Sequence, residues 1–293
     1  MSRVEKCRSK HDTPMASSVP SDRLHERIAT AALAPGEIAY RSLDQFFEFL
    51  GDSFLLALRT CGFILRANVD VRDTLRQMAF IGVASLPIVV VTVVFSGAVL
   101  SLYMSQLVVK WGVGGYTGAA VGLSIARELG PVVSAVVVAA RAGSAIAAEI
   151  GTMKVTEQID ALRALAVNPV QYLVVPRVLA AVAMLPLLTL IADVMGVAAG
   201  YGVAVLNGVA GESFLSSLKA QVTTYDVTMG LVKTLFFGAV IAIVGSQQGL
   251  RTSGGASGVG RATTNAVVKS IVIIYILNFF LAYIMFGGKT AFL

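Results

Sequence analysis

"EIGTMKVTEQIDALRAL", residues 149–165, interrupts a chain that is strongly apolar on both sides of it. Its local pattern predicts a short charged helix. Thr156 stands where an N-cap is wanted, and Glu157 falls in the first turn, where the helix dipole favours an anion. Val155, Ile159, Leu162 and Ala166 line one face, and Asn168-Pro169 stops the helix. About ten residues do not hold a helix in water unaided. Something must cover the apolar face, either the chain's own hydrophobic segments or a groove on another protein. A helix of soluble character between two long apolar runs sets the fold class: the runs cross a membrane and the helix lies beside it.

Composition agrees. The chain has 293 residues, 56% hydrophobic and only 14% charged, with a mean hydropathy of +0.78. Soluble domains carry about 25% charged residues, so this is an integral membrane protein. The net charge of +6 does not point to nucleic acid, because the bases cluster in loops flanking apolar runs, as membrane topology demands. Cys7 and Cys61 are far apart and lack metal spacing, which gives neither a disulfide framework nor a zinc site. Both histidines, His11 and His25, lie near the N-terminus, so no metal is expected in the membrane region.

Along the chain, residues 1–40 read as a disordered cytosolic tail, polar and mixed in charge. It has neither the apolar run of a secretory signal nor the acid-poor composition of a transit peptide, and Met15 offers a second possible start. Residues 41–78 hold an amphipathic helix and a connector. In that helix Leu43, Phe46, Phe47, Leu50, Phe54, Leu58, Cys61 and Ile64 form one face, while Arg41, Gln45, Glu48, Asp52, Arg59 and Arg66 share the other. Such a helix suits the membrane interface. Residues 79–293 form the transmembrane domain.

Five apolar segments there approach the roughly 20 residues that cross a bilayer: 79–109, 117–150, 178–206, 227–250 and 270–288. With the N-terminus inside, the inner loops hold Arg72, Arg76, Lys154, Arg163, Arg177, Arg251, Arg261 and Lys269, and the outer ones only Lys110, Lys219 and Lys289. The expected fold is therefore an all-α integral membrane protein: an interfacial amphipathic helix, then five spans, N-in and C-out. Two ridges repeat small residues every fourth position: Ala135, Ala139, Gly143, Ala147, Gly151, and Ala192, Gly196, Gly200, Ala204, Gly208. They predict close helix–helix approach.

"RELGPVVSAVVVAARAGSAIAAEIGTMKVTEQIDALRALAVNPVQYLVVPRVLA", residues 127–180, resembles the signature region of the MlaE/YrbE permease family, and "GASGVGRATTNAVVKS", residues 255–270, resembles its second signature. Members are membrane subunits of lipid-transporting ABC systems that work with MCE-domain proteins. The resemblance runs from about residue 43 to the C-terminus. It implies a permease subunit that moves phospholipid or a related lipid between the bacterial inner membrane and an MCE-domain partner. It implies that a separate ATPase binds the ATP, so this chain needs no cofactor and is not itself an enzyme. It also makes the helix at 155–166 a coupling helix, with Val155, Glu157, Ile159, Asp160, Leu162 and Arg163 as its ATPase contacts. A homodimer is expected, since one chain supplies half the usual number of spans and a single coupling helix.

Charges inside spans are costly and mark function by default. Arg127, Glu128, Lys233 and Asn278 all reach the outer part of the membrane, counting about 1.5 Å per residue from the inner ends. Two cations at similar depth suit a phosphate head group. The plainer alternative is that Arg127 and Glu128 solvate each other or reach outward. The resemblance places Arg127, Glu128 and Lys233 around the lipid cavity; at Asn278 relatives carry an acid, which puts its pairing in question. Arg141, Glu149 and Asp193 read as structural groups, Asp193 as an interhelical hydrogen-bonding partner.

"GGKT", residues 287–290, is no phosphate loop, because Tyr283 stands where the required glycine would be. The rival function is an ion-coupled secondary transporter of a hydrophobic or anionic substrate, acting through Asp193 or Glu128. Five spans without an evident inverted repeat argue against it.

Overall fold

The computed structural model describes residues 35–66, 70–110 and 114–287. Residues 1–34 of the expected tail therefore lie outside the described residues. Helix α1 (Pro35–Leu65) opens the described chain, so regular structure begins within the segment expected to be tail. Contacts divide the chain into residues 1–51 and a compact unit of residues 52–293.

In the first of these, Phe47 and Leu50 are exposed and Phe49 is buried; the side chains of Leu43 and Phe46 lie outside the described residues. The remainder of α1 keeps the expected two faces. Phe54, Leu58 and Cys61 are exposed, a surface suited to acyl chains. On the opposite side Asp52 pairs with Arg251, Ser53 donates to Gln247 Oε1 at 2.9 Å, and Leu56 is buried.

Five helical segments are long and apolar enough to cross a membrane: Val71–Val108, Thr117–Val155, Val170–Leu206, Thr224–Leu250 and Gly255–Phe286. The chain is an all-helical, multi-pass membrane protein, with no strand among the described residues. The spans are longer than the apolar runs because polar turns extend them. The first begins as α2 (Val71–Met78), capped by Asp70, whose carboxylate accepts from the backbone of Arg72 and Asp73. It continues through a π-helical turn, Ala79–Val83, into α3 (Leu86–Lys110).

The second span is broken into α4 (Thr117–Ser124), α5 (Gly130–Val138) and α6 (Ser144–Val155) by π turns at Ile125–Leu129 and Ala139–Gly143. Helix α7 (Gln158–Ala164) follows. The third span is a π turn, Val170–Val174, leading into α8 (Val175–Leu206). Helix α9 (Gly211–Gln221), which the apolar runs do not announce, buries Phe214 against the second and third spans. The fourth and fifth spans are α10 (Thr224–Leu250) and α11 (Gly255–Phe286).

Both small-residue ridges bring backbones together. A β-carbon on Gly97 would collide with the Gly196 carbonyl at 2.6 Å, and one on Gly245 with the Gly143 carbonyl at 2.9 Å. Ser101 exploits the first of these approaches, donating to the Gly200 carbonyl at 2.6 Å. In lipid, where burial gives no driving force between helices, such contacts and packing hold the bundle together. The main core is built from the second, third and fourth spans, with Val138, Ile146, Leu185, Phe237 and Ile241 buried together.

Candidate functional site

Pro131 starts the site. It has no backbone N–H, so a regular helix would leave the Arg127 carbonyl four residues earlier without a donor. The chain answers with the π turn Ile125–Leu129, in which the Gly130 N–H reaches the Ile125 carbonyl. The fourth span meets what remains. Lys233 Nζ donates to the Arg127 carbonyl at 2.9 Å, and Gly230 lies so close to the Ala126 carbonyl that no β-carbon would fit. π turns are frequent at functional positions, and this one carries two adjacent charged residues.

Those two residues point to different partners. Glu128 accepts from Lys233 Nζ through Oε1 at 2.7 Å and from Asn278 Nδ2 through Oε2 at 2.7 Å. Asn278 Oδ1 in turn accepts from Lys233 Nζ at 3.1 Å. Lys233 therefore spends its three ammonium protons on three acceptors, and its side chain is 0% exposed. It has no donor left over. Arg127 turns to Asp226, two helical turns before Lys233 on the same face of α10, through Nε at 2.9 Å and a terminal nitrogen at 2.7 Å. The second Asp226 oxygen belongs to a capping box, accepting from the Thr223 backbone at 2.8 Å and its hydroxyl at 2.7 Å. The Phe286 ring closes the cluster, with the Arg127 guanidinium 4.7 Å and Lys233 Nζ 5.2 Å from its centre.

Arg127, Glu128, Lys233 and Asn278 thus lie in one network, as their depths predict. The alternative in which Arg127 and Glu128 solvate each other does not hold among the described residues; each has its own opposite charge on α10. The pairing of Asn278 is thus settled for this chain: beside Glu128 its amide offers a donor where a carboxylate would offer repulsion. Asp226 and Phe286 escaped the sequence reading. Asp226 precedes the apolar run of the fourth span, and the signal that could have found it is the Thr-x-x-Asp capping box. Lys233 and Asp226 are buried, whereas Asn278 is partly exposed and the side chains of Arg127 and Glu128 are 30% and 44% exposed.

A second polar region surrounds α7. Its N-cap is Glu157, in the left-handed conformation at φ 60°, rather than Thr156. Thr156 instead ends α6, its hydroxyl donating to the Thr152 carbonyl at 2.8 Å. Val155 accordingly belongs to α6 and not to the short helix. Nor does Asn168-Pro169 stop α7. The stop is at Ala166, at φ 59°, where the Val167 and Ala166 N–H groups reach the Leu162 and Arg163 carbonyls, both at 3.0 Å, a Schellman pattern. Two non-glycine residues in the left-handed region bracket the helix and store local strain.

The two alternatives for the apolar face of α7 are now separated: Ile159 is buried in the chain's own core, and Leu162 packs partly against it. Glu157, Asp160 and Arg163 are exposed. Asp160 is held by Lys154 at 3.1 Å and Arg163 at 3.0 Å. Apolar residues beside them are also exposed, Val155, Leu165 and Val167 among them.

Nearby charges are structural. Arg141, on the π turn Ala139–Gly143, donates to the Phe80 carbonyl at 2.8 Å and to Ser85 Oγ at 3.0 Å, tying the second span to the first. Glu149 pairs with Arg177 at 3.0 Å, and Arg177 also donates to the Leu173 carbonyl on the π turn of the third span at 2.6 Å. Asp193, expected to bond between helices, has no hydrogen-bond partner.

The family described as Permease MlaE matches residues 74–284. A probable ABC transporter permease protein of Synechocystis is 44% identical over 84% of this chain and 94% of its own length. One from Rickettsia typhi is 42% identical over 83% of this chain and 94% of its own. The chloroplastic protein trigalactosyldiacylglycerol 1 of Arabidopsis thaliana is 37% identical over 77% of this chain and 65% of its own length.

Proposed function

The chain belongs to the MlaE permease family and is an ABC transporter permease subunit, and on that premise we propose that it carries phospholipid or a related lipid between the inner membrane of a bacterium and an MCE-domain partner. The observation that supports this reading is the cluster around Lys233. A buried, fully paired cation fixes Glu128 and Asn278, while Arg127 and Glu128 keep exposed edges within the spans. A guanidinium beside a carboxylate offers one group to a head-group phosphate and the other to a head-group amine. The apolar surface of the spans receives the acyl chains. A relative named for a glycolipid supports the same substrate class.

In this reading Lys233 is a positioning residue, and Arg127 and Glu128 touch the lipid. The driving subunit is a separate ATPase. It docks on the exposed side of α7, where Glu157, Asp160 and Arg163 stand beside Val155 and Leu165, and the strained bends at Glu157 and Ala166 transmit its movement. Ile159 and Leu162 anchor the helix to its own bundle rather than meeting the partner. Two copies of the chain supply two such helices, one for each of two ATPase subunits.

The test is reconstitution of the permease, its ATPase and its MCE partner in liposomes holding labelled phospholipid. ATP-dependent transfer of label, lost on reversing the charges of Glu157 and Asp160 while the fold persists, is the expected result. Transfer that survives the reversal removes α7 as the coupling element. Transfer of an ionic or soluble substrate driven by an ion gradient, with none of lipid, overturns the substrate class.

A further inference from the structure

Asp193 lies in the middle of the third span with a relative exposure of 7%, and neither of its carboxylate oxygens has a hydrogen-bond partner. Its side chain fills the volume that a β-carbon on Gly130 would need, so the carboxylate is set directly against the backbone of the second span. One helical turn from Gly130 on the same face of α5 is Ser134. One turn from Asp193 on the same face of α8 is Thr189. Both are 0% exposed, and both hydroxyls also lack a partner. Successive spans run antiparallel, so the contact between Gly130 and Asp193 brings Ser134 and Thr189 opposite one another one turn further along the seam.

Four unpartnered oxygens thus gather on one helix–helix seam inside the membrane, half of the eight buried side-chain polar atoms without partners among the described residues. Leaving such groups bare is expensive in an apolar environment, most of all for a carboxylate. Elsewhere buried charges have opposite partners: Lys233 meets Glu128 and two further acceptors, and Arg177 meets Glu149 although its Nε is left over. Among the described residues no cation reaches Asp193. The unpartnered groups of the seam are all oxygens: one carboxyl and two hydroxyls.

We propose that this seam is a binding site for a small monovalent cation of the sodium type, held by the Asp193 carboxylate with the Ser134 and Thr189 hydroxyls. Hard cations take oxygen ligands. One positive charge neutralises the site, whereas a divalent ion leaves a net charge among apolar helices. Gly130 is the residue that admits the carboxylate, since any side chain there evicts it. The site uses none of the side chains of the Arg127–Lys233 cluster and does not depend on the lipid reading.

The experiment is binding of radioactive sodium to the full-length chain purified in complex with its ATPase, together with its thermal midpoint at constant ionic strength in sodium, lithium, potassium or choline chloride. About one sodium per chain is expected, with a saturable rise of roughly 3–6 °C in the midpoint at tenfold excess over the dissociation constant. Asp193→Asn, which keeps the shape, abolishes both effects, and Ser134→Ala weakens sodium binding about tenfold. Gly130→Ala serves as a second route, removing the sodium response by displacing the carboxylate. A midpoint indifferent to the cation overturns the proposal. So does a sodium response that survives in Asp193→Asn, or a midpoint that follows pH but not sodium, which assigns the seam to a proton alone.

Discussion

The Lys233 cluster and the Asp193 seam are both polar, share the second span, and are opposite in design. Around Lys233 each ammonium proton has its acceptor, and Glu128 is bound through both oxygens. Around Asp193 neither carboxylate oxygen has a hydrogen-bond partner, and one lies against the Gly130 backbone. The first arrangement is complete within the chain, so disturbing it strands a charge. The second is incomplete, so disturbing it removes little that the chain itself supplies. A membrane protein keeps buried charge for two reasons, to build a site or to receive a ligand, and satisfaction of the hydrogen bonds separates them.

This contrast is broken most readily at Lys233. Replacing it by Ala leaves Glu128 without its cation and opens a cavity; a loss of about 3–5 kcal/mol in stability is expected, read as a fall in the denaturation midpoint in detergent. Adding Glu128→Gln should restore a large part of that loss, because the stranded charge disappears. Equal damage in single and double variants would show that Lys233 matters for packing alone. Arg127→Ala is expected to cost less, about 1–3 kcal/mol, since Asp226 keeps both bonds from Thr223. A cost equal to that of Lys233→Ala would mean the Arg127–Asp226 pair, and not Lys233, organises the cluster.

At the other region the sign changes. In sodium-free buffer Asp193→Asn is expected to leave stability within about 1 kcal/mol of the parent, because no hydrogen bond within the chain is lost. A collapse of the fold would reveal a partner for Asp193. Smallest of all, Ala166→Gly should raise stability by about 0.5 kcal/mol, as glycine adopts φ 59° without the β-carbon penalty. A drop in stability on the same measurement would mean the bend carries no strain.

Periodicity made much of this legible. The five spans, the amphipathic helix before them and the two small-residue ridges are patterns of spacing, and spacing survives folding. Co-location of Arg127, Glu128, Lys233 and Asn278 followed from counting rises along helices. What spacing does not carry is which neighbour each charge selects. Arg127 chose Asp226 over the adjacent Glu128 because consecutive helical side chains diverge, and because Pro131 forces a π turn that re-aims them. The bounds of α7 were misplaced for a related reason: its ends are set by left-handed backbone at Glu157 and Ala166, residues with no turn signature of their own. The empty bonding of Asp193 was invisible, since only the fold shows what fails to reach a side chain.

The exposed edges of the Lys233 cluster are expected to receive a lipid head group. Phospholipid bound per purified complex, quantified by mass spectrometry on natively extracted protein, tests it most directly. Arg127→Ala and Glu128→Gln, compared at equal folded fraction, should each lower occupancy roughly tenfold at limiting lipid, the equivalent of about 1.4 kcal/mol. Occupancy unchanged in both variants would mean the cluster only holds helices together, and the lipid passes elsewhere.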